Sequence, residues 1–172
     1  VVAQLQQVFA DDWFFATGES LAHGRYFPPQ PCGPAGGAVC SVVAGGPDTR
    51  HNLTHDAFLL AVGEARRRVW ITTPYLIPSQ TVQAALRLAV VRGVDVRLLV
   101  PRRSDSRLVD LVASSYFPVL LEAGVRVFLY ERGFVHAKTM VVDDWVGTVG
   151  SANMDIRSFH LNYEVNAFAY GR

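Results

Sequence analysis

Lysine is almost absent from this sequence of 172 residues: Lys138 is the only one, against fifteen arginines. Long apolar runs are absent too, since none approaches the roughly 18 residues that a membrane-spanning helix needs. The first residues lack the pattern of a secretory signal peptide. With a net charge of +1, the chain also lacks the basic excess that is typical of proteins that bind duplex DNA, and we expect no nucleic-acid partner.

Cysteine is scarce as well. Cys32 and Cys40 are the only two, and the segment GPAGGAV separates them. A disulfide between them is geometrically possible, whereas two reduced thiols are the expected state in the cytosol. No second pair of cysteine or histidine residues has the spacing of zinc ligands, so we expect no metal site. No motif indicates a cofactor.

Apolar residues, by contrast, make up 50% of the chain, which is enough for a sizeable core in one domain over 1–172. The sequence starts within an amphipathic helix and without methionine, so we expect it to be part of a longer protein. Charge is uneven, because residues 62–107 hold nine arginines and three acidic residues. This basic stretch either contacts phosphates or an anionic membrane surface, or forms solvated helix faces.

Helix-like and strand-like segments alternate along the chain. Apolar periodicity predicts helices at 1–17, 53–68, 79–93 and 106–123. Pro118 should kink or divide the last of these helices. Runs of β-branched residues predict strands at 38–43, 69–73, 94–100 and 125–130. The prolines and glycines of 26–37 predict a loop there. The last third predicts sequential strands at 136–142, 145–150 and 161–170. We therefore expect an α/β fold with a mixed β-sheet.

The segment HAKTMVVDD, at 136–144, carries most of the candidate chemistry. On a strand, His136 and Lys138 point to the same face because they stand two residues apart. An imidazole can act as a nucleophile or a general acid, and a lysine ammonium can hold phosphoryl oxygens as a compact point charge. Asp143 falls at a hairpin turn, where its carboxylate is expected to bond turn amides.

Further polar residues follow this hairpin. The turn SAN places Ser151 and Asn153 near the same sheet end; Asn153 is expected to bind phosphate, and Ser151 either binds phosphate or caps the turn. Glu164 stands in an apolar strand, where a buried carboxylate needs a partner. A histidine ring N–H would suit it, and the carboxylate would then fix the tautomer and stabilise the imidazolium. Arg157 either contacts phosphate or pairs with Asp155.

Two other groups of residues have either a functional or a purely structural role. His51, His55 and Asp56 suggest a metal site because positions four apart on a helix share a face. Exposed polar residues at a helix start are the preferred interpretation. Tyr75 follows a proline at a strand end, where it either lines a substrate mouth or packs in the core.

The spacing of His136, Lys138 and Asp143 resembles the H-x-K-x4-D motif of the phospholipase D superfamily. GSAN (150–153) and LNYE (161–164) stand where that family has its phosphate-binding asparagine and its histidine-orienting glutamate. Longer segments resemble the second half of bacterial cardiolipin synthases, among them ITTPYLIP, RGVDVRLLVP, GFVHAKTMVVDD and GSANMDIRSFHLNYEVN. The resemblance covers nearly the whole chain outside the Pro/Gly loop.

The resemblance implies a mixed sheet flanked by helices on both faces and a site in which two such halves each supply one histidine. One histidine attacks phosphorus to form a phosphohistidine, and the other protonates the leaving alkoxide. A phosphatidyl group thereby passes between two phosphatidylglycerol molecules with release of glycerol and without a metal or cofactor. The implied catalytic residues are His136, Lys138, Asp143 and Glu164. The implied phosphate-binding residues are Lys138, Asn153 and Ser151.

One motif stands in this chain where such enzymes have two. The expected partner is therefore the N-terminal half with the first motif, or a second copy in a homodimer. A single-motif homodimeric phosphodiesterase or nuclease and an inert half-domain are the alternatives. The resemblance also implies that the longer protein lies at the bacterial cell membrane with its catalytic domain facing the cytoplasm, and that this fragment is soluble.

Overall fold

The computed structural model describes residues 1–29, 39–48 and 51–171. Most of the predicted Pro/Gly loop, with Cys32, lies outside these residues, so the pairing of Cys32 and Cys40 stays a prediction. The helices are α1 Val2–Thr17, α2 Leu53–Glu64, α3 Gln80–Val91, α4 Arg107–Glu122 and α5 Ile156–His160, with a 3-10 turn at Gly24–Tyr26. Within the described ranges, no helix has both the length and the apolar character to span a bilayer.

Side-chain caps and glycines set several of the helix limits. The Ser79 hydroxyl accepts a hydrogen bond from the Val82 amide at the start of α3, as the sequence predicts. Gly93 and Gly124 follow α3 and α4 with φ of 86° and 85°, a left-handed conformation that suits glycine. The predicted division of α4 at Pro118 is wrong: the helix continues to Glu122. Burial of Leu120 in the core offsets the one backbone bond that proline removes.

The strands are β1 Val39–Gly45, β2 Arg68–Thr72, β3 Leu76–Ile77, β4 Asp95–Pro101, β5 Arg126–Tyr130, β6 Thr139–Val142, β7 Val146–Gly150, β8 Met154–Asp155 and β9 Glu164–Tyr170. Seven of them form one sheet in the order β1-β9-β7-β6-β2-β4-β5. Strands β2, β4 and β5 are parallel, and the other neighbours are antiparallel. The short strands β3 and β8 pair separately. The predicted mixed sheet is confirmed.

The helices are distributed unevenly over the two faces of this sheet. One core joins α2, α3 and α4 to alternate strand residues such as Ile71, Leu98 and Met140. The crossovers β2–α3–β4 and β4–α4–β5 run in the same direction, and right-handed crossovers then place both helices on one face. On the other face Trp70 and Val149 are 38% and 58% exposed. The sheet is flanked by helices as expected, but the expected cover on both faces is incomplete.

One end of the sheet collects the chain segments with the polar motifs. The parallel strands β2 and β4 end there, and Thr72 at the end of β2 pairs with Thr139 at the start of β6. Gly150 at the end of β7 pairs with Asn166 of β9, and a side chain at Gly150 would overlap Asn166. The segments before β6, after β7 and at the start of β9 therefore meet at this edge, beside the residues that follow β2.

Candidate active site

His136 and Lys138 lie in contact at this sheet edge. Both precede β6, which begins at Thr139, so the prediction that they stand on the strand itself is wrong. Lys138 Nζ lies 3.2 Å from His136 Nε2 and 3.3 Å from the His136 carbonyl oxygen. An ammonium only donates hydrogen bonds, so Nε2 is the acceptor and the ring proton sits on Nδ1. The lone pair that accepts this bond is the one that would attack an electrophile, so Nζ has to move from Nε2 to the electrophile first.

The half-buried position of Lys138 affects its charge. Burial lowers the pKa of the Lys138 ammonium, while the nearby carboxylates of Glu164 and Asp155 act in the opposite direction. The site thus combines a partly desolvated cation with two acidic groups. An anionic phosphodiester entering this edge would provide the ammonium with a direct partner.

Two aromatic rings flank His136. The Phe134 ring centroid is 5.1 Å from that of the imidazole, and the Tyr75 ring lies edge-on at 6.2 Å. Of the two roles considered for Tyr75, its position beside His136 favours the lining of the site. The Tyr75 hydroxyl donates to Asp105 Oδ1 at 2.7 Å, and this bond raises the pKa of Tyr75 to about 12. The phenol therefore stays protonated and keeps its donor toward Asp105.

Glu164 is buried at the first position of β9, as the apolar residues around it in the sequence predict. Its predicted partner was a histidine ring, but Asn162 Nδ2 donates to Glu164 Oε1 at 3.1 Å instead. Among the contacts of the described residues, none joins Glu164 to His136. The imidazole precedes β6 and lies against the aromatic rings, which explains the difference. The Glu164 charge does raise the pKa of Lys138, against the effect of burial.

The turn after β7 holds Asn153 and Ser151. Asn153 donates to Ser158 Oγ from its backbone amide at 3.0 Å and from Nδ2 at 3.2 Å, while its Oδ1 has no partner within the described part of the chain. The reverse orientation of this amide would offer its NH2 group to a phosphate. Ser151 Oγ accepts from the Val165 amide at 2.9 Å, so it joins this turn to β9 and does not cap the turn itself. Phosphate binding by either residue stays a prediction.

Asp143 lies at the other end of β6, across a strand of about 13 Å. It turns the β6–β7 hairpin with φ of 50°. Its carboxylate accepts hydrogen bonds of 2.8–2.9 Å from the backbone amides of Arg66, Arg67 and Arg68, rather than from the amides of its own turn. Burial alone would raise the pKa of Asp143, but these amide bonds outweigh it and the pKa is lowered. This position supports a structural role, and the catalytic role that the resemblance implies stays a prediction.

Several site residues escaped the sequence patterns. Asp155 is buried beside Glu164, and its burial raises the pKa of its carboxyl. Asn166 is fully buried and accepts from the Ala152 amide at 3.2 Å, so it holds the turn that carries Asn153. Asn166 could have been found from its place two residues after Glu164, on the same inward face of β9.

His55 of α2 also differs from the expected picture. His55 is buried rather than exposed, and its Nε2 lies 3.2 Å from Thr81 Oγ1. No group of residues in the described ranges has the arrangement of a metal site. Arg157 forms no salt bridge with a described residue; Asp155 instead accepts from the Ser158 amide at 2.7 Å as the cap of α5.

Comparisons with known proteins give one family. A model described as "Cardiolipin synthase, PLD-like domain" matches residues 59–172. The cardiolipin synthase of Geobacillus thermodenitrificans is 43% identical over 169 residues, which are 98% of this chain and 34% of that protein. Cardiolipin synthase A of Pseudomonas putida is 46% identical over 175 residues, with coverage of 100% and 35%. The chain thus spans about a third of the length of these curated relatives.

Solved structures share the fold. The phospholipase D family member Nuc of Salmonella typhimurium has a TM-score of 0.64 at 18% identity, covering 78% of this chain and 84% of that one. The phosphatidylserine synthase of Haemophilus influenzae has a TM-score of 0.61 at 17% identity, covering 78% and 35%. At these identities the likeness establishes the architecture that the resemblance predicted, and the chemistry rests on the site residues.

Proposed function

The chain belongs to the family of cardiolipin synthase, phospholipase D-like domains, and from this membership we propose that it is one catalytic half of a phosphatidyltransferase. The proposed substrate is phosphatidylglycerol, and the products are cardiolipin and glycerol. The observation that carries the proposal is the 3.2 Å contact between Lys138 Nζ and His136 Nε2 at the sheet edge. It pairs a nucleophilic nitrogen with a cation for the phosphate that the nitrogen would attack.

The proposed reaction has two displacements at one phosphorus atom. In the first, Nε2 of one histidine forms a bond to phosphorus and the bond from phosphorus to the oxygen of the headgroup glycerol breaks. A second histidine gives its proton to that oxygen. In the second, a hydroxyl oxygen of another phosphatidylglycerol bonds to phosphorus, the P–N bond breaks, and the hydroxyl proton returns to the second histidine. His136 takes one of these two roles.

The neighbouring residues would stabilise charge during both steps. Lys138 and Asn153 would bind the non-bridging phosphoryl oxygens, with Ser151 as a further donor, since donors placed before reaction need no reorganisation. Glu164 would balance the charge of Lys138 and of an imidazolium. Asp143 would contribute by holding the hairpin that carries β6.

A second histidine has to come from a partner. His136 is exposed at the sheet edge, so another motif can approach it from outside the chain. We propose that the partner is a half with the first motif, or a second copy of this chain where that half is missing. The longer protein would act at the bacterial cell membrane, with this domain on the cytoplasmic side.

The test is a phosphodiester assay with phosphatidylglycerol in detergent micelles, using the chain alone and with the first half added in trans. His136→Ala should abolish cardiolipin formation and the acid-labile phosphoprotein, and His23→Ala, at an exposed histidine far from the motif, should not. Phosphatidic acid as the only product would make the protein a hydrolase. Equal activity of His136→Ala and the unaltered chain would refute the proposal.

A further inference from the structure

A cavity of about 350 Å³ lies between β3, the start of α4 and α5. Tyr75 belongs both to its wall and to the aromatic pair around the imidazole. Asp155, on the opposite wall, is the carboxylate whose charge acts on Lys138. The cavity therefore adjoins the His136–Lys138 pair across the Tyr75 ring.

The polar groups of this cavity have unused hydrogen-bonding capacity. Asp105 Oδ1 accepts from Tyr75, and no described residue bonds its Oδ2. Asp155 accepts from the Ser158 amide at 2.7 Å and also from the Ser158 hydroxyl and the Arg157 amide, so of its roughly four acceptor positions one is left. Arg157, at the rim, is exposed and makes no salt bridge with a described residue. The cavity thus presents carboxylate acceptors inside and a guanidinium outside.

This arrangement matches a polyol attached to a phosphate. Neighbouring hydroxyls donate to carboxylate oxygens, and a guanidinium is well shaped for a phosphate. A purely anionic ligand would meet two acidic side chains, and an apolar one would remove the exposed Asp105 carboxylate from water without a new partner for its Oδ2. The side chains of Ile77 and Ile156 complete the lining and suit the carbon backbone of such a headgroup.

We propose that this cavity binds the glycerol headgroup of phosphatidylglycerol, with Asp105 and Asp155 accepting hydrogen bonds from its hydroxyls and Arg157 contacting its phosphate. The inference rests on the proposed function. In that reaction the leaving group and the attacking hydroxyl both belong to glycerol, so one polyol site serves both displacements. Asp105 and Asp155 then determine which alcohol accepts the phosphatidyl group.

The first measurement compares acceptors. The chain, with the first half in trans where needed, receives phosphatidylglycerol with equal concentrations of deuterated glycerol and ethanol, and mass spectrometry gives the ratio of deuterated phosphatidylglycerol to phosphatidylethanol. We expect Asp105→Asn to lower this ratio about ten-fold or more, because a site built for hydroxyls discriminates through the bonds it makes to them. Asp144→Asn, an exposed aspartate at the β6–β7 turn, is the matched control and should leave the ratio unchanged.

The second measurement needs no turnover. Glycerophosphoglycerol, the deacylated headgroup, is titrated into the labelled chain, and amide shifts are expected at Asp105, Ser106 and Ile156 but not in Asp105→Asn. Transfer with an unchanged acceptor ratio in Asp105→Asn would overturn the inference and leave the proposed function standing. Absence of transfer to any alcohol would refute the function, and the titration then decides whether the cavity binds this headgroup. A titration without these shifts overturns the inference.

Discussion

Lys138 illustrates, at the scale of a residue, how one lysine differs from the fifteen arginines of this chain. Its Nζ reaches both Nε2 and the carbonyl oxygen of His136 from a half-buried position. A guanidinium is planar and larger, and its donors have a fixed fork geometry. It would not make these two contacts from the same volume.

We therefore expect Lys138→Arg to lower the rate of phosphatidyl transfer about 100-fold or more, the typical loss when one donor to a developing oxyanion is displaced. The folded structure should persist, because Lys138 lies at the sheet edge. Initial rates with phosphatidylglycerol micelles, together with circular dichroism, check both expectations. Arg132→Lys, which makes the opposite exchange at an exposed position, is the control and should leave the rate unchanged. A variant with more than half of the original rate would contradict this role for Lys138.

Sequence spacing predicted part of this site and missed another part. The two-residue separation of His136 and Lys138 correctly placed their side chains together, since short separations leave few alternatives. The partners of Glu164 and Asp143 were not predictable in the same way. Asp143 bonds amides 75–77 positions earlier in the chain, and that contact depends on the arrangement of β2 beside β6.

At the scale of elements, Asp143 also explains where α2 ends. The sequence predicts a helix over 53–68, but α2 ends at Glu64 and β2 begins at Arg68. The amides of Arg66 and Arg67, and that of Arg68 at the start of β2, donate to Asp143 and are lost to the helix. The limits of long elements follow from caps and glycines, whereas this limit depends on a distant carboxylate. The short elements α5, β3 and β8 lack the length over which periodicity is visible.

Asp143→Asn should lower the free energy of unfolding by about 2–3 kcal/mol, because an amide NH2 group would face backbone donors in a buried position. The lowered pKa of Asp143 means that its stabilisation is present above the unfolded pKa of about 4 and is lost as pH falls through the folded value. Urea unfolding measured between pH 7 and pH 3 should therefore show that the free energy of unfolding falls less with pH in the variant than in the unaltered chain.

The adjacent Asp144→Asn is the control for this experiment. Asp144 is exposed and forms ion pairs with Arg67 and Arg68, so its replacement should cost about 1 kcal/mol or less. Equal losses in the two variants would show that the buried amide bonds of Asp143 have no special weight.

The uneven cover of the sheet matters at the scale of the whole molecule. Strand patterns predict that residues alternate between two faces, but they do not predict which face a crossover helix or a partner covers. Here the less covered face exposes Trp70, Val141 and Val149. An apolar surface of this kind is typical of a contact with another protein chain.

We expect the isolated chain to form a homodimer at micromolar concentration, measured as the molar mass by light scattering. Val149→Lys should shift the mass toward the monomer, because a charge would be buried at the contact. Val91→Lys, at the exposed end of α3, is the matched control. A monomer mass for the unaltered chain would contradict the expectation.

The place of β9 in the sheet has a consequence for how the protein folds. It is the last strand in the chain order, yet it lies between β1 and β7. The units β2–α3–β4 and β4–α4–β5 can assemble from near neighbours, whereas β1 waits for a strand more than a hundred positions away. Such distant pairing is slow because a long loop has to close first. Glu164 and Asn166 arrive with β9, so the catalytic edge would form only in the final stage of folding.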